Sequence, residues 1–166
     1  MGGITIILGY NPIRFVRLDP IKEAEILVAT PKLELGEGKT KRARALLPES
    51  VPLSTVVRQM SSFASLILGL MIKNPKVTGQ GISGDIIVEP ARAGMIPSFF
   101  QLKKEAISAG AYGFSISGAG PSVFALCPVG KGESVGRSVK AVFSTEGIDS
   151  SYSIHNCSGE GAKVVS

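Results

Sequence analysis

Between Tyr112 and Leu126 two apolar runs flank a turn of small residues, Ser117-Gly118-Ala119-Gly120-Pro121-Ser122. Tight hairpins ordinarily use Asn-Gly or Asp-Gly, so this composition asks for a reason. Glycines at 118 and 120 permit positive φ and let the backbone approach another group closely. A tight turn alone would account for them; a backbone surface that meets an anionic ligand is the functional alternative. Overall charge agrees with the second: 18 basic against 13 acidic residues leave a net charge of +5, which suits nucleic acid or a nucleotide phosphate. Lys39, Lys41, Arg42 and Arg44 form the local basic cluster. It lacks the interleaved aromatics of a single-strand stacking platform, so no nucleic-acid partner is expected.

Two other glycine motifs match in letters only. Gly38-Lys39-Thr40 looks like the end of a P-loop, but Leu33 stands where its first glycine is required. Gly79-Gln80-Gly81-Ile82-Ser83-Gly84 spells a dinucleotide fingerprint without a credible strand before it. Cys127, Cys157 and His155 cannot fill a four-ligand metal site and match no zinc or redox spacing. No metal site is expected in this chain, and free thiols in a reducing cytoplasm are. No targeting segment is expected, and Ala64 to Ile72 is too short an apolar run to span a bilayer.

The elements that must position such a turn can be read from periodicity. With 44% hydrophobic residues a packed core is available, built without Trp. Ile4 to Leu8 reads as a buried strand, Ile13 to Leu18 as a second, and Glu25 to Thr30 as a third ended by Pro31. Thr40 is the expected N-cap of a helix through Leu47. The longest helix should run from Leu53 to about Lys73. Its face of Val56, Val57, Met60, Phe63, Ala64, Ile67, Leu68 and Met71 is expected to be core. A short helix interrupted by glycines is expected within Val77 to Val88, then one from Ile96 to Ala109 with Gly110 past its end. Strands at Tyr112 to Ser117 and Ser122 to Leu126, a helix from Gly132 to Glu146, and strands at Ser151 to His155 and Ala162 to Val165 complete the pattern. This is the tail of a ferredoxin-like α+β layer, an antiparallel sheet with helices on one face.

Particular segments carry a resemblance. Ser115-Ile116-Ser117-Gly118-Ala119-Gly120-Pro121-Ser122 resembles the third motif of the GHMP kinases. Ile87-Val88-Glu89-Pro90-Ala91-Arg92 with Ile96-Pro97, and Thr40-Lys41-Arg42-Ala43-Arg44-Ala45-Leu46-Leu47-Pro48, resemble segments of the homoserine kinase branch. Gly2-Gly3-Ile4-Thr5 resembles the stretch just after that family's central segment, so the likeness covers the whole chain in order. It implies a GHMP C-terminal domain at 32–166, preceded at 1–31 by the closing strands of an incomplete N-terminal, ATP-binding domain.

The implied activity is ATP-dependent, Mg²⁺-assisted phosphorylation of the side-chain hydroxyl of L-homoserine, on the route to threonine. The resemblance places Arg44 and Arg92 on the substrate carboxylate, a role a planar guanidinium fills better than an ammonium. Thr40, one helical turn before Arg44, can share that pocket, and Ser117, Gly118, Ala119 and Gly120 lie near the transferred phosphate. The main ATP loop and the catalytic residues would belong to the N-terminal half, so the chain alone is expected to be inactive. A cytoplasmic location is expected, and a homodimer is allowed. Two alternatives stay open: a non-catalytic amino-acid-binding or dimerisation module of the same fold, or a GHMP kinase for a mevalonate-pathway or sugar substrate.

Overall fold

The computed structural model describes residues 2–33 and 38–164. The chain opens with a hairpin, β1 (Ile4–Tyr10) and β2 (Ile13–Leu18), paired antiparallel from Ile4↔Leu18 to Tyr10↔Ile13. Both are strands as expected, but β1 is not buried: Ile7, Leu8 and Tyr10 are exposed, as are Ile13, Phe15 and Val16 of β2. β-Branched residues dictate the extended backbone, while burial needs a covering layer. The described residues cover the Ile4–Leu18 end, packed beside Ile21, Ala24, Leu70 and Leu126, but not the Ile7, Leu8, Tyr10 and Ile13 end.

β3 (Ala24–Pro31), β4 (Gly113–Ile116), β5 (Val123–Pro128) and β6 (Ser150–His155) form an antiparallel sheet in the order β4-β5-β3-β6. The sequence boundary at residue 31 groups β3 with the hairpin, whereas its hydrogen bonds run to β5 on one side and β6 on the other. Alternate residues Leu27 and Ala29 of β3 and Val123, Ala125 and Cys127 of β5 face one core. Two helices close it, α5 (Phe99–Ser108) through Leu102 and Ala106, and α6 (Gly132–Thr145) through Val135, Val139 and Phe143. The expected strand at Ala162 to Val165 does not form over 162–164, and Val165 lies outside the described residues. The tail instead docks on the hairpin, where Ser158 accepts from Gly3 N–H at 2.6 Å and Gly159 from Arg17 at 2.8 Å.

Three more helices precede α5 and come after the short α1 (Lys39–Ala45): α2 (Leu53–Met71), α3 (Pro75–Ser83) and α4 (Val88–Ala93). α2 has the expected length, but its expected core face points outward. Val57, Met60, Phe63, Leu68 and Met71 are exposed, and Leu66, Gly69 and Leu70 pack instead. The cause is close approach to α3. A Cβ on Gly69 would lie 2.4 Å from the Thr78 nitrogen, and one on Gly81 2.3 Å from the Leu66 nitrogen. Backbones this near fix the rotation of α2 and leave the larger apolar side chains outside. Gly79 approaches β4 as tightly, its Cβ position 2.1 Å from the Tyr112 carbonyl oxygen. The glycines of the false dinucleotide fingerprint therefore serve packing. By length and composition alone α2 could cross a membrane; its inner face packs against α3 and, through Leu70, beside Ala24 and Leu126 of the sheet.

Candidate functional site

The glycine turn behaves as its residue types require. Gly118 and Gly120 sit at φ +62° and +78°, a region that L side chains enter only with strain. Ser117 closes the turn, donating its N–H to Ser122 O at 2.8 Å and accepting from Gly120 N–H at 3.1 Å. The N–H groups of Gly118 and Ala119 have no backbone partner among the described residues. Successive free amides of this kind form a concave surface for an anion.

α4 stands beside the turn and owes its start to Asp85. That carboxylate accepts from the N–H groups of Ile87 and Val88 at 2.9 Å and of Glu89 at 3.1 Å, engaging the free amides of a helix N-terminus. Gln59 of α2 accepts from Ile86 N–H at 2.9 Å and pins the same segment. One turn into the helix, Arg92 reaches in two directions. Its Nε donates to the Ala43 carbonyl at 3.0 Å and its Nη1 to the Gly118 carbonyl at 3.2 Å. A single guanidinium thus joins α1, α4 and the glycine turn, three segments separated widely in sequence. Its fork retains further N–H groups beyond these two bonds.

α1 does not begin as expected. Its N-cap is Gly38, left-handed at φ 77°, ψ 16°, and Thr40 lies inside the helix. The Gly38 carbonyl accepts from Arg42 N–H at 3.0 Å, so the helix starts without a side-chain cap. Thr40 and Arg44 are exposed on either side of buried Ala43, and neither bonds through its side chain to another described residue. The structure therefore brings Arg92 to the turn and to the backbone of α1, and leaves Thr40 and Arg44 exposed. Arg42 of the same helix borders an open depression of about 500 Å³ with Ala45, Leu46, Gly94 and Met95.

Glu89, three residues ahead of Arg92 on α4, makes a second set of bonds beside the turn. A surface ion pair with Arg92 is the simple expectation at that spacing, but Glu89 is buried, 3% exposed, and turns away from Arg92. Its carboxylate pairs with Lys103 of α5 and accepts from Ser115 Oγ of β4 at 2.8 Å. Lys103 also donates to the Ser83 carbonyl at 2.8 Å, and Ser83 Oγ accepts from Phe114 N–H at 3.0 Å. Burial pushes the Glu89 carboxyl above its ordinary value, while the Lys103 and Ser115 hydrogen bonds pull the other way. The charge is held by partners rather than by water. No sequence spacing marks Lys103 as its partner; the signal was only a glutamate in an otherwise apolar stretch. Among the described residues no three His, Cys, Asp or Glu side chains gather in a way that could hold a metal ion.

A model of the GHMP kinases C terminal family matches residues 67–145. The chain is 35% identical over 169 residues to a homoserine kinase of Chlorobaculum tepidum, covering 100% of this chain and 51% of that protein. It is 38% identical over 148 residues to a homoserine kinase of Pyrobaculum aerophilum, covering 89% and 49%. Among solved structures, a homoserine kinase of Cytophaga hutchinsonii superposes with a TM-score of 0.87 at 34% identity, over 94% of this chain and 49% of that one. The chain spans about half the length of the curated relatives it matches.

Proposed function

Because the chain carries the C-terminal domain of the GHMP kinases, we propose that it supplies the substrate-carboxylate and glycine-turn half of an ATP-dependent L-homoserine kinase. The observation that carries this reading is the placement of Arg92, bonded at once to Ala43 of α1 and Gly118 of the turn. In this reading Arg92 and Arg44 hold the amino-acid carboxylate, Thr40 shares the pocket rim, and the substrate hydroxyl is directed toward the turn. Ser117, Gly118, Ala119 and Gly120 face the transferred phosphate, and the free N–H groups of Gly118 and Ala119 stabilise its charge. The β1–β2 hairpin is taken as the closing part of the ATP-binding half, and the four-stranded sheet with its helices as the C-terminal domain. The protein acts in the cytoplasm on a small molecule, with neither nucleic acid nor membrane as a partner.

ATP binds through phosphates that the turn can face, and the chemistry it supplies is a transferable γ-phosphoryl group. Mg²⁺ fits less well. Both Glu89 oxygens and both Asp85 oxygens are engaged within the protein, so the described residues around α4 offer no free carboxylate as a hard-cation ligand. In this reading the metal and the base are supplied by the ATP-binding half, as the family resemblance implies. Phosphoryl transfer depends chiefly on positioning and charge stabilisation, so this chain alone gives only background turnover.

Steady-state kinetics on the full-length enzyme test the reading. In this reading Arg92→Ala removes one partner of a charge-assisted pair with the substrate carboxylate. The loss is typically about 2–5 kcal/mol once the bound substrate desolvates the pair, or roughly 30- to several-thousand-fold in kcat/KM. The loss should fall on homoserine far more than on ATP, with partial rescue by Arg92→Lys. An unchanged homoserine KM and kcat would remove Arg92 from the site. A second reading, a non-catalytic dimerisation module, draws on the exposed apolar stripe of α2. It would gain if homoserine turnover stayed absent when the ATP-binding half is supplied.

A further inference from the structure

The pair of Glu89 and Lys103 lies outside the group of residues that meet substrate in the reading above, yet it occupies a junction. Glu89 is three residues ahead of Arg92 on α4. Ser115, which donates to it, is two residues ahead of Ser117, where the glycine turn begins. Lys103 anchors the same carboxylate to α5, and its second bond ties in the end of α3 at Ser83. A purely apolar residue at position 89 would fill the space. A carboxylate there incurs desolvation, which makes sense where two directional bonds are needed to set the spacing between a helix and a strand.

We propose that Glu89 is a positioning residue: by bonding Ser115 of β4 and Lys103 of α5, it sets α4 at the distance from the glycine turn at which Arg92 can bind a substrate carboxylate. This rests on the reading of Arg92 as a carboxylate ligand. The mechanism is mechanical. α4 has only six residues, so its orientation is set by its anchors: Asp85 and the Gln59 bond ahead of the helix, Glu89 in its first turn, and buried Ala93 and the bonds of Arg92 at its end. Released from Ser115 and Lys103, α4 loses its first-turn anchor, and the Arg92 guanidinium, one turn further on, is left positioned by its own bonds to Ala43 and Gly118 alone. The glycine turn itself keeps its shape, because its own bonds run from Ser117 to Gly120 and Ser122.

A double-mutant cycle in the full-length enzyme tests the proposal and separates it from the reading beneath it. Glu89→Ala should raise KM for homoserine about tenfold while leaving KM for ATP within about twofold, and Glu89→Gln, which can still accept from Ser115, should recover part of the loss. In an Arg92→Ala background the Glu89→Ala change should add almost nothing, since the residue acts through Arg92. Losses that multiply in the double variant would overturn the proposal, as would a fall in kcat with the KM ratio of the two substrates unchanged. If Arg92→Ala by itself leaves homoserine KM unaltered, the carboxylate reading fails first and the proposal falls with it, a result visible in the single variant. Should Glu89→Ala fail to fold, Ser115→Ala removes one hydroxyl from the same contact. It should raise homoserine KM about threefold, also only when Arg92 is present; no selective rise there overturns the proposal.

Discussion

Phe143 of α6 and Phe63 of α2 both sit on amphipathic helices at positions that periodicity assigns to the core. Phe143 is fully buried against the sheet, and Phe63 is 56% exposed. The difference lies in what each helix packs upon. α6 meets the sheet with Val135, Val139, Val142 and Phe143 over β3 and β6, a large face against a large face. α2 meets α3 where Gly69, Gly81 and Thr78 bring the backbones together, with Leu66, Leu70 and Ile82 packing beside them. One side of the molecule is complete by itself, while the other presents an apolar stripe and a two-stranded hairpin. Exposed stripes of this kind mark surfaces that another body covers, and a lone hairpin is marginal without one. An amphipathic pattern thus says that a face will be buried, not by what.

Substitutions on the two sides should separate by a wide margin. Phe143→Ala removes a fully buried ring and should cost about 3–5 kcal/mol, whereas Phe63→Ala in the isolated chain should stay within about 0.5 kcal/mol. Urea midpoints for the two variants check this. Similar losses from both would mean that the α2 stripe is covered in solution, and concentration-dependent light scattering would identify a second copy as the cover.

Gly79→Ala probes the tight seam between these two sides. A Cβ there meets the Tyr112 carbonyl, so α3 and β4 must separate, at about 1–3 kcal/mol by analogy with overpacked cores. Thermal melts should show the loss, and Gly94→Ala, with no atom within 4 Å of its Cβ position, should not. Equal melts would show that α3 can slide along β4 without cost.

The smallest effect concerns the two thiols. Cys127 lies in the complete core, its thiol pushed up to about 12 chiefly by burial and then by the nearby Glu25 charge. Cys157 is half-buried near the tail. A thiol reagent near pH 8 should titrate one cysteine in the native chain and two after unfolding. Since the folded thiol ionises later than the unfolded one, its contribution to stability is full below about pH 9.0 and is lost as pH rises toward about 12. Rapid modification of both thiols in the native state would show that the core face breathes.

Much of this architecture was legible in one dimension. The strands and helices from Phe99 to His155 lie close to where alternation, helical period and Gly/Pro punctuation put them, because those signals are local. The positive φ at Gly118 and Gly120 is set by residue type in the same way. Local chemistry misled where a competing local group intervened: Gly38, free to adopt the left-handed region, starts α1 in place of Thr40. Three matters were settled only by tertiary structure. The outward face of α2 was decided by glycines on two helices that approach, a property of neither helix alone. Glu89 pairs with Lys103 of α5, 14 residues away in sequence, rather than with Arg92 three residues away. The meeting of Arg92 with Ala43 and Gly118 joins segments that are 49 and 26 residues distant from it. Periodicity reports which residues avoid water, but the identity of the neighbour depends on how whole elements stack, and that is a long-range property of the chain.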